Sequence, residues 1–117
     1  MNKILIVEDE QSIAEMVKLC LCKNGYMCEI VNDGMAATQK IEEKRYDLIL
    51  LEDDVKPLSG LIIMKKLLMI KSFNTKVILL TGNNEYKDSY KEYGFSDVIL
   101  KPIDEEIFNN IIDKYLK

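Results

Sequence analysis

The amino-acid sequence predicts an α/β domain, a doubly wound parallel sheet of five strands with five helices on its two faces. Three observations carry that prediction. Short apolar runs such as Ile4–Val7 and Leu48–Leu51 end abruptly in acidic residues, as strands buried on both faces do. Stretches with helical spacing of apolar residues separate these runs. Strands alternating with helices pair in parallel, and right-handed crossovers then leave few topologies. The 117 residues fit one domain, predicted over residues 1–117, and leave little room for two.

Each element has a local reason. Ile4-Leu5-Ile6-Val7 is β-branched and continuous, the first strand. A helix follows over about Ser12–Lys23, with Ile13, Met16, Val17, Cys20 and Leu21 on its inner side, and Asn24-Gly25 ends it. Met27–Val31 reads as a weaker second strand. Asn32 or Asp33 caps the next helix, which runs to about Arg45. Asp47–Leu51 is the third strand, and Pro57 and Gly60 punctuate the loop after it. Leu61–Ile70 is helical in composition. Lys76–Leu80 is the fourth strand, ending at Thr81-Gly82. Asn83–Tyr93 reads as a polar helix stopped by Gly94. Asp97–Leu100 is the fifth strand. Asp104 then caps a last helix with Ile107, Phe108, Ile111, Ile112 and Tyr115 inward.

Composition narrows the function classes. Sixteen basic residues against 20 acidic ones give a net charge of −4, unlike the basic excess of a nucleic-acid surface. There is no histidine. Ser-His-Asp catalysis, His-ligated zinc and a phosphohistidine carrier are therefore excluded. Cys20, Cys22 and Cys28 make an odd count at irregular spacing, unlike a secreted disulfide framework. Cys20 and Cys22 are two apart and do not share a helix face, so they read as ordinary thiols. The amino terminus is too short in apolar residues for a signal peptide, and no run reaches a membrane span. The expectation is a soluble cytoplasmic protein.

In open parallel sheets the functional crevice lies beyond the carboxyl ends of the strands. Glu8-Asp9-Glu10 follow the first strand and Glu52-Asp53-Asp54 the third, while Thr81 follows the fourth and Lys101 the fifth. Parallel strands bring these groups to one edge. Converging carboxylates repel one another, and oxygen-only ligands select a hard divalent cation, Mg²⁺ or Mn²⁺. A carboxylate beside that cation, a Lys ammonium and a Thr hydroxyl can take up a phosphoryl group.

The chain resembles a response-regulator receiver domain of bacterial two-component signalling. The resemblance rests on Lys-Ile-Leu-Ile-Val-Glu-Asp-Glu at 3–10, Asp-Leu-Ile-Leu-Leu at 47–51, Gly60, Val-Ile-Leu-Leu-Thr at 77–81, Gly94 and Lys101-Pro102. It covers essentially the whole chain. It implies a flavodoxin-like fold, strand order 2-1-3-4-5, that accepts phosphate from a sensor histidine kinase on one Asp. It implies a signalling module and not an enzyme. It places Glu8 and Asp9 on the acidic pair that organises Mg²⁺, with the Asp54 backbone carbonyl completing the site. Thr81 falls on the phosphoryl-contacting hydroxyl, and Lys101 on the lysine that pairs with the phosphoryl group. An output domain or a second copy would be contacted through the face of the fourth helix, fifth strand and fifth helix.

This sequence departs from the family where the family places its acceptor Asp, because Glu52 stands there. Three readings follow: Glu52 as a permanent substitute for aspartyl phosphate, Asp53 as the acceptor, or a fixed interaction module that no longer cycles. Glu is longer than Asp by roughly 1.5 Å. A misplacement of about 1 Å can cost on the order of 100-fold in rate, so Glu52 is expected to be a poor acceptor that still ligates metal. Asp53 has the right length but points to the other face unless the chain kinks. Val98 stands where the family usually has an aromatic switch, and the loop proline is displaced to Lys56-Pro57.

Two apolar surfaces add to the reading. Tyr86, Tyr90 and Tyr93 form a stripe, read as core packing with the alternative of partner anchors. The helix at 61–70 carries more apolar residues than one face needs, which points to a second contact surface. Two other classes compete. A Mg²⁺-dependent phosphohydrolase of the haloacid-dehalogenase type would want Asp-x-Asp after its first strand. A flavin-binding flavodoxin would want a hydroxyl- and glycine-rich loop where Glu8-Asp9-Glu10 stands.

Overall fold

A computed structural model describes residues 2–117. Its elements are β1 (Lys3–Val7), α1 (Gln11–Lys23), β2 (Met27–Val31), α2 (Gly34–Glu43), β3 (Leu48–Glu52), α3 (Gly60–Leu68), β4 (Lys76–Thr81), α4 (Tyr86–Ser89), β5 (Asp97–Leu100) and α5 (Glu105–Leu116). The strands form one parallel sheet in the order β2-β1-β3-β4-β5. This is the flavodoxin-like arrangement expected.

Strand alternation sorts the core into two layers. Leu5, Val7, Ile49, Leu51, Val77 and Leu79 face Ala37, Ile41, Ile63, Met64 and Leu67 of α2 and α3. Ile4, Ile6, Leu48, Leu50, Ile78 and Leu80 face Val17, Leu21, Phe108 and Ile112 of α1 and α5. All of these side chains are buried. The central strands therefore have no polar alternation, which is why they read as continuous apolar runs.

The helix ends follow the expected chemistry. The Asp33 carboxylate accepts from the Met35 and Ala36 backbone N–H groups at 2.8 and 2.9 Å, and that of Asp104 from Ile107 N–H at 3.0 Å. Gly94 has φ +97°, a left-handed turn that residues with a Cβ avoid. Some details differ from expectation. The segment 83–93 is not one helix: α4 has a single turn, and Tyr90–Tyr93 tighten into a 3₁₀ turn. Three tyrosines and Ser89 give little intrinsic support to a longer helix. Met16 is 41% and Ile107 59% exposed, although both were expected inward. Their neighbours Val17, Leu21, Phe108 and Ile112 already fill the layer. Ile62, Leu68 and Met69 of the third helical segment are exposed, as its apolar excess suggested.

One charged cluster was not foreseen. Glu29, in edge strand β2, meets the ammonium groups of Lys3 at 2.7 Å, Lys40 at 3.3 Å and Lys44 at 3.3 Å, and accepts from the Tyr46 hydroxyl at 3.2 Å. The Lys3 contact, with Lys44 and Lys40, outweighs burial and holds the Glu29 carboxyl down to about 2. A carboxyl whose pKa is depressed on folding stabilises the fold above its unfolded value and stops doing so as the pH falls through its folded value. The three lysines are a third to a half exposed, so solvent screens the cluster. The expected contribution is roughly 1 kcal/mol. In urea unfolding, Glu29→Gln should be less stable than the native chain at neutral pH. The difference should shrink to nothing between the ordinary Glu range and about 2. A constant difference across that window would sink the assignment.

Candidate functional site

The strand register builds the site. Val7 pairs with Leu51, Glu52 with Leu80, and Thr81 with Leu100. The residues just past these positions share one edge of the sheet. Among the described residues the only buried polar side chains are Glu8 (1% exposed), Glu52 (5%) and Thr81 (0%). Burying such groups costs free energy unless they are paired or used, and all three were singled out from sequence.

Lys101 ties the site together. Its Nζ contacts Oε2 of Glu52 and lies 2.7 Å from Oε1 of Glu8. Glu8 Oε1 is buried and has no partner besides that ammonium. The other oxygens accept from backbone: Glu8 Oε2 from Glu10 N–H at 3.0 Å, and Glu52 Oε1 from Asp54 N–H at 3.2 Å. Thr81 Oγ1 accepts from Asn83 N–H at 2.9 Å, which leaves its own proton free to donate. Thr81 and Lys101 are locked side by side by Lys101 N–H donating to the Thr81 carbonyl at 2.8 Å.

Electrostatics follow from this crowding. Burial, then the neighbouring Asp53 and Glu8 carboxyls, push the Glu52 carboxyl up to about 8 against the pull of Lys101. Burial pulls the Lys101 ammonium down, but Glu52 and Glu8 outweigh it and its pKa ends raised. Both partners move upward: the lysine holds its proton, and the carboxyl releases its own reluctantly. Asp9 is raised by burial and by the Glu8 charge, with a smaller contribution from Asp54.

Asp9 and Asp54 sit at the exposed rim, and Asp54 meets only Lys56 at 3.6 Å. Among the described residues no three acidic side chains converge into a ready metal site. Glu8, Glu52, Thr81 and Lys101 are thus brought together, while Asp9 and Asp54 border them. Asp53, half-buried just past the end of β3, lies beside Glu52, whose carboxyl it pushes up, and its charge raises the Tyr86 phenol after burial has done so. Its Oδ1 is buried without a hydrogen-bond partner. Val98 is half-buried against the α2–α3 layer. Tyr86 and Tyr90 pack partly into that layer, while Tyr93 stands exposed and meets Tyr86 edge to face, ring centroids 5.8 Å apart. A groove of about 570 Å³ between the end of α2 and the loop before β4 lies at the opposite end of the strands, away from this chemistry.

Gly60 does more than punctuate a loop. Its N–H donates to the Asp53 carbonyl at 2.8 Å, and a Cβ there would overlap the Glu52 carbonyl oxygen. Gly60→Ala must therefore move the backbone that carries Glu52. It should cost at least ~2 kcal/mol in denaturant unfolding. Gly82→Ala should cost far less, since a Cβ there meets nothing nearer than 4.0 Å. Equal losses in the two variants would refute the close approach. The sequence signal for Gly60 was a Gly eight residues after the acidic strand end, visible but not interpretable without the loop path.

Known proteins agree with this geometry. The family model of the response regulator receiver domain matches residues 4–113. Response regulator ArlR of Staphylococcus epidermidis is 37% identical over 108 residues, 91% of this chain and 48% of the relative. Transcription factor SKN7 of Saccharomyces cerevisiae is 30% identical over 118 residues, 97% of this chain and 18% of the relative. The chain thus spans half or less of these relatives. Among solved structures, response regulator TrrA of Thermotoga maritima, in complex with Mg²⁺–BeF, superposes with TM-score 0.89 at 27% identity, covering 98% of this chain and 99% of that one. The receiver domain of a sensor histidine kinase from Pseudomonas aeruginosa, with magnesium in its active-site cleft, gives TM-score 0.89 at 25% identity, covering 98% and 97%. The chain belongs to the response regulator receiver domain family of two-component signalling.

Proposed function

We propose that this chain is an atypical receiver, one in which Glu52 stands permanently in place of a phosphorylated Asp and which acts by protein–protein contact. The observation that carries this reading is the Lys101 ammonium on both Glu52 and Glu8. The lysine is already engaged by the fixed Glu52 carboxyl group at the acceptor position.

The donor set fits a divalent cation in part. Every ligand is oxygen, and the buried Glu8 Oε1 is paired only with the Lys101 ammonium, at 2.7 Å. Mg²⁺ or Mn²⁺ would be held by Glu8, Asp9, Glu52 and the Asp54 backbone carbonyl. Bound there, the ion supplies the positive charge that one lysine cannot give to three carboxylates. Glu52 would have to loosen from Lys101 to join it.

Partners follow from the family: a sensor histidine kinase or another signalling protein upstream, and an output domain or second copy at the face of α4, β5 and α5. No contact with nucleic acid is proposed for this acidic domain. No helix among the described residues is long and apolar enough to cross a membrane, and a cytoplasmic location is part of the proposal.

Incubation with Mg²⁺ and an acyl phosphate, followed by intact mass, tests the reading. The native chain should gain no phosphoryl group. A stable gain overturns it. Loss of that gain in Asp53→Asn would move the assignment to the second reading, Asp53 as acceptor, which the unpartnered Asp53 Oδ1 favours.

A further inference from the structure

The charges of this chain are unevenly placed. All 20 acidic residues lie outside the segment 55–84, which carries Lys56, Lys65, Lys66, Lys71 and Lys76. That segment contains α3. Ile63, Met64 and Leu67 of α3 fill the core, and the helix has apolar residues left over. Ile62, Lys65, Lys66 and Met69 recur at i, i+3, i+4 and i+7, which puts them on one outward row. Ile62 is 47% exposed, Leu68 56% and Met69 80%. Both lysines are exposed, and among the described residues neither pairs with a carboxylate. Beside the row runs a groove of about 310 Å³ between α2 and α3, with Met35, Leu58 and Lys66 in its walls. Contiguous exposed apolar side chains rimmed by polar ones mark an interaction surface.

We propose that the outer face of α3 docks an amphipathic helical segment of a partner protein, its apolar side chains in the α2–α3 groove and its acidic ones on Lys65 and Lys66. Charge chooses this occupant. A second copy packed through a two-fold axis at α3 would set these lysines against their own images, and like charges repel. An anionic lipid surface would meet the lysines but is flat, and it would leave the concave groove empty. Glu42, in the groove wall, would also face its headgroups. A helix laid along α2 and α3 uses both halves of the surface. Its apolar anchors enter the groove between Met35 and Leu58, and acids on its flank reach the lysines. Glu42 fixes which flank carries the acids, since an acid on the α2 side would be repelled. This surface is separate from the face of α4, β5 and α5, and it does not depend on the role of Glu52.

The full chain is titrated against a fluorescent, end-capped helical peptide with Leu at helical spacing and Glu beside it. Two control peptides replace Glu by Lys or Leu by Ser. The Glu–Leu peptide should bind, with backbone amide NMR shifts confined to α2 and α3, and added salt should weaken it. Lys65→Glu with Lys66→Glu should weaken binding by about tenfold, because two exposed ion pairs become repulsions. Met69→Ser should also weaken it, and Lys87→Glu on α4 should not. All four positions are exposed, so the urea midpoints of these variants should stay native. No binding, equal binding of the Lys peptide, or shifts centred on α4 would each overturn the proposal. So would stronger binding to phosphatidylserine vesicles than to the peptide, or self-association that the double substitution abolishes.

Discussion

Glu52→Asp is expected to turn a receiver that takes no phosphoryl group from an acyl phosphate into one that does. The backbone at this position is fixed from two sides. The β3–β4 register pairs Glu52 with Leu80, and Gly60 closes on the Glu52 carbonyl. Shortening the side chain therefore withdraws the carboxylate by roughly 1.5 Å and does not shift its anchor. The withdrawal takes it off Lys101, which frees the ammonium for an incoming phosphoryl group and leaves room between Glu8 and the acceptor. A near-attack position improved by about 1 Å is worth on the order of 100-fold in rate, so the variant should label at least that much faster. The lost methylene, at a position 5% exposed, should cost only about 1 kcal/mol. Intact mass after timed incubation with Mg²⁺ measures the first effect and urea unfolding the second. A variant as inert as the native chain would mean that something other than side-chain length disables the pocket.

Much of this was legible in the sequence because the pattern is strong where burial is two-sided. Ile4–Val7, Leu48–Leu51 and Val77–Leu80 have no polar residue to confuse them, and the acids after them mark where the sheet stops. Glu8, Glu52, Thr81 and Lys101 were therefore locatable by position alone. Other features depend on facts that lie outside any local window. Nothing in the local sequence singled out Glu29. Its three lysines come from β1 and the α2 region, and only the edge position of β2 explains an acid there. Segment 83–93 misled because a tyrosine stripe has helical period even when the backbone tightens to a 3₁₀ turn.

Val98 also gains meaning from the structure. A half-buried Val leaves no aromatic ring at that place to swing between core and surface. The aromatic pair near the acidic edge is instead Tyr86 with Tyr93, the first sensing the Asp53 charge and the second exposed. On the proposed reading, in which Glu52 keeps Lys101 engaged, a ring that reports engagement has no task. Glu52 and Val98 thus depart from the family in the same direction.

Removing the Lys101 ammonium should have the largest effect on stability. Lys101→Met leaves Glu8 and Glu52 buried, with side chains 1% and 6% exposed, and without their shared cation. Breaking a buried pair by deleting one partner typically costs about 3–5 kcal/mol. Here the cost is capped, because Glu52, already pushed up to about 8, takes a proton instead of remaining charged. The expected loss at neutral pH is therefore roughly 2–3 kcal/mol in urea unfolding. The Glu52 shift runs opposite to that of Glu29. A carboxyl raised on folding favours the fold below its unfolded value and disfavours it as the pH climbs through the folded one. Below about 8 Glu52 holds its proton in both folded chains, so its share of the Lys101→Met deficit should grow only above about 8, where the native Glu52 ionises beside Lys101 and that of the variant does not. Adding Glu52→Gln should recover part of it by supplying a group that is neutral at every pH. A Lys101→Met chain as stable as the native one would show that the ammonium is not the charge that lets two acids be buried. Mg²⁺ gives the same argument a second reading. If the cation shares the pocket with Lys101, it should stabilise Lys101→Met more than the native chain, because in the variant it no longer competes with the ammonium.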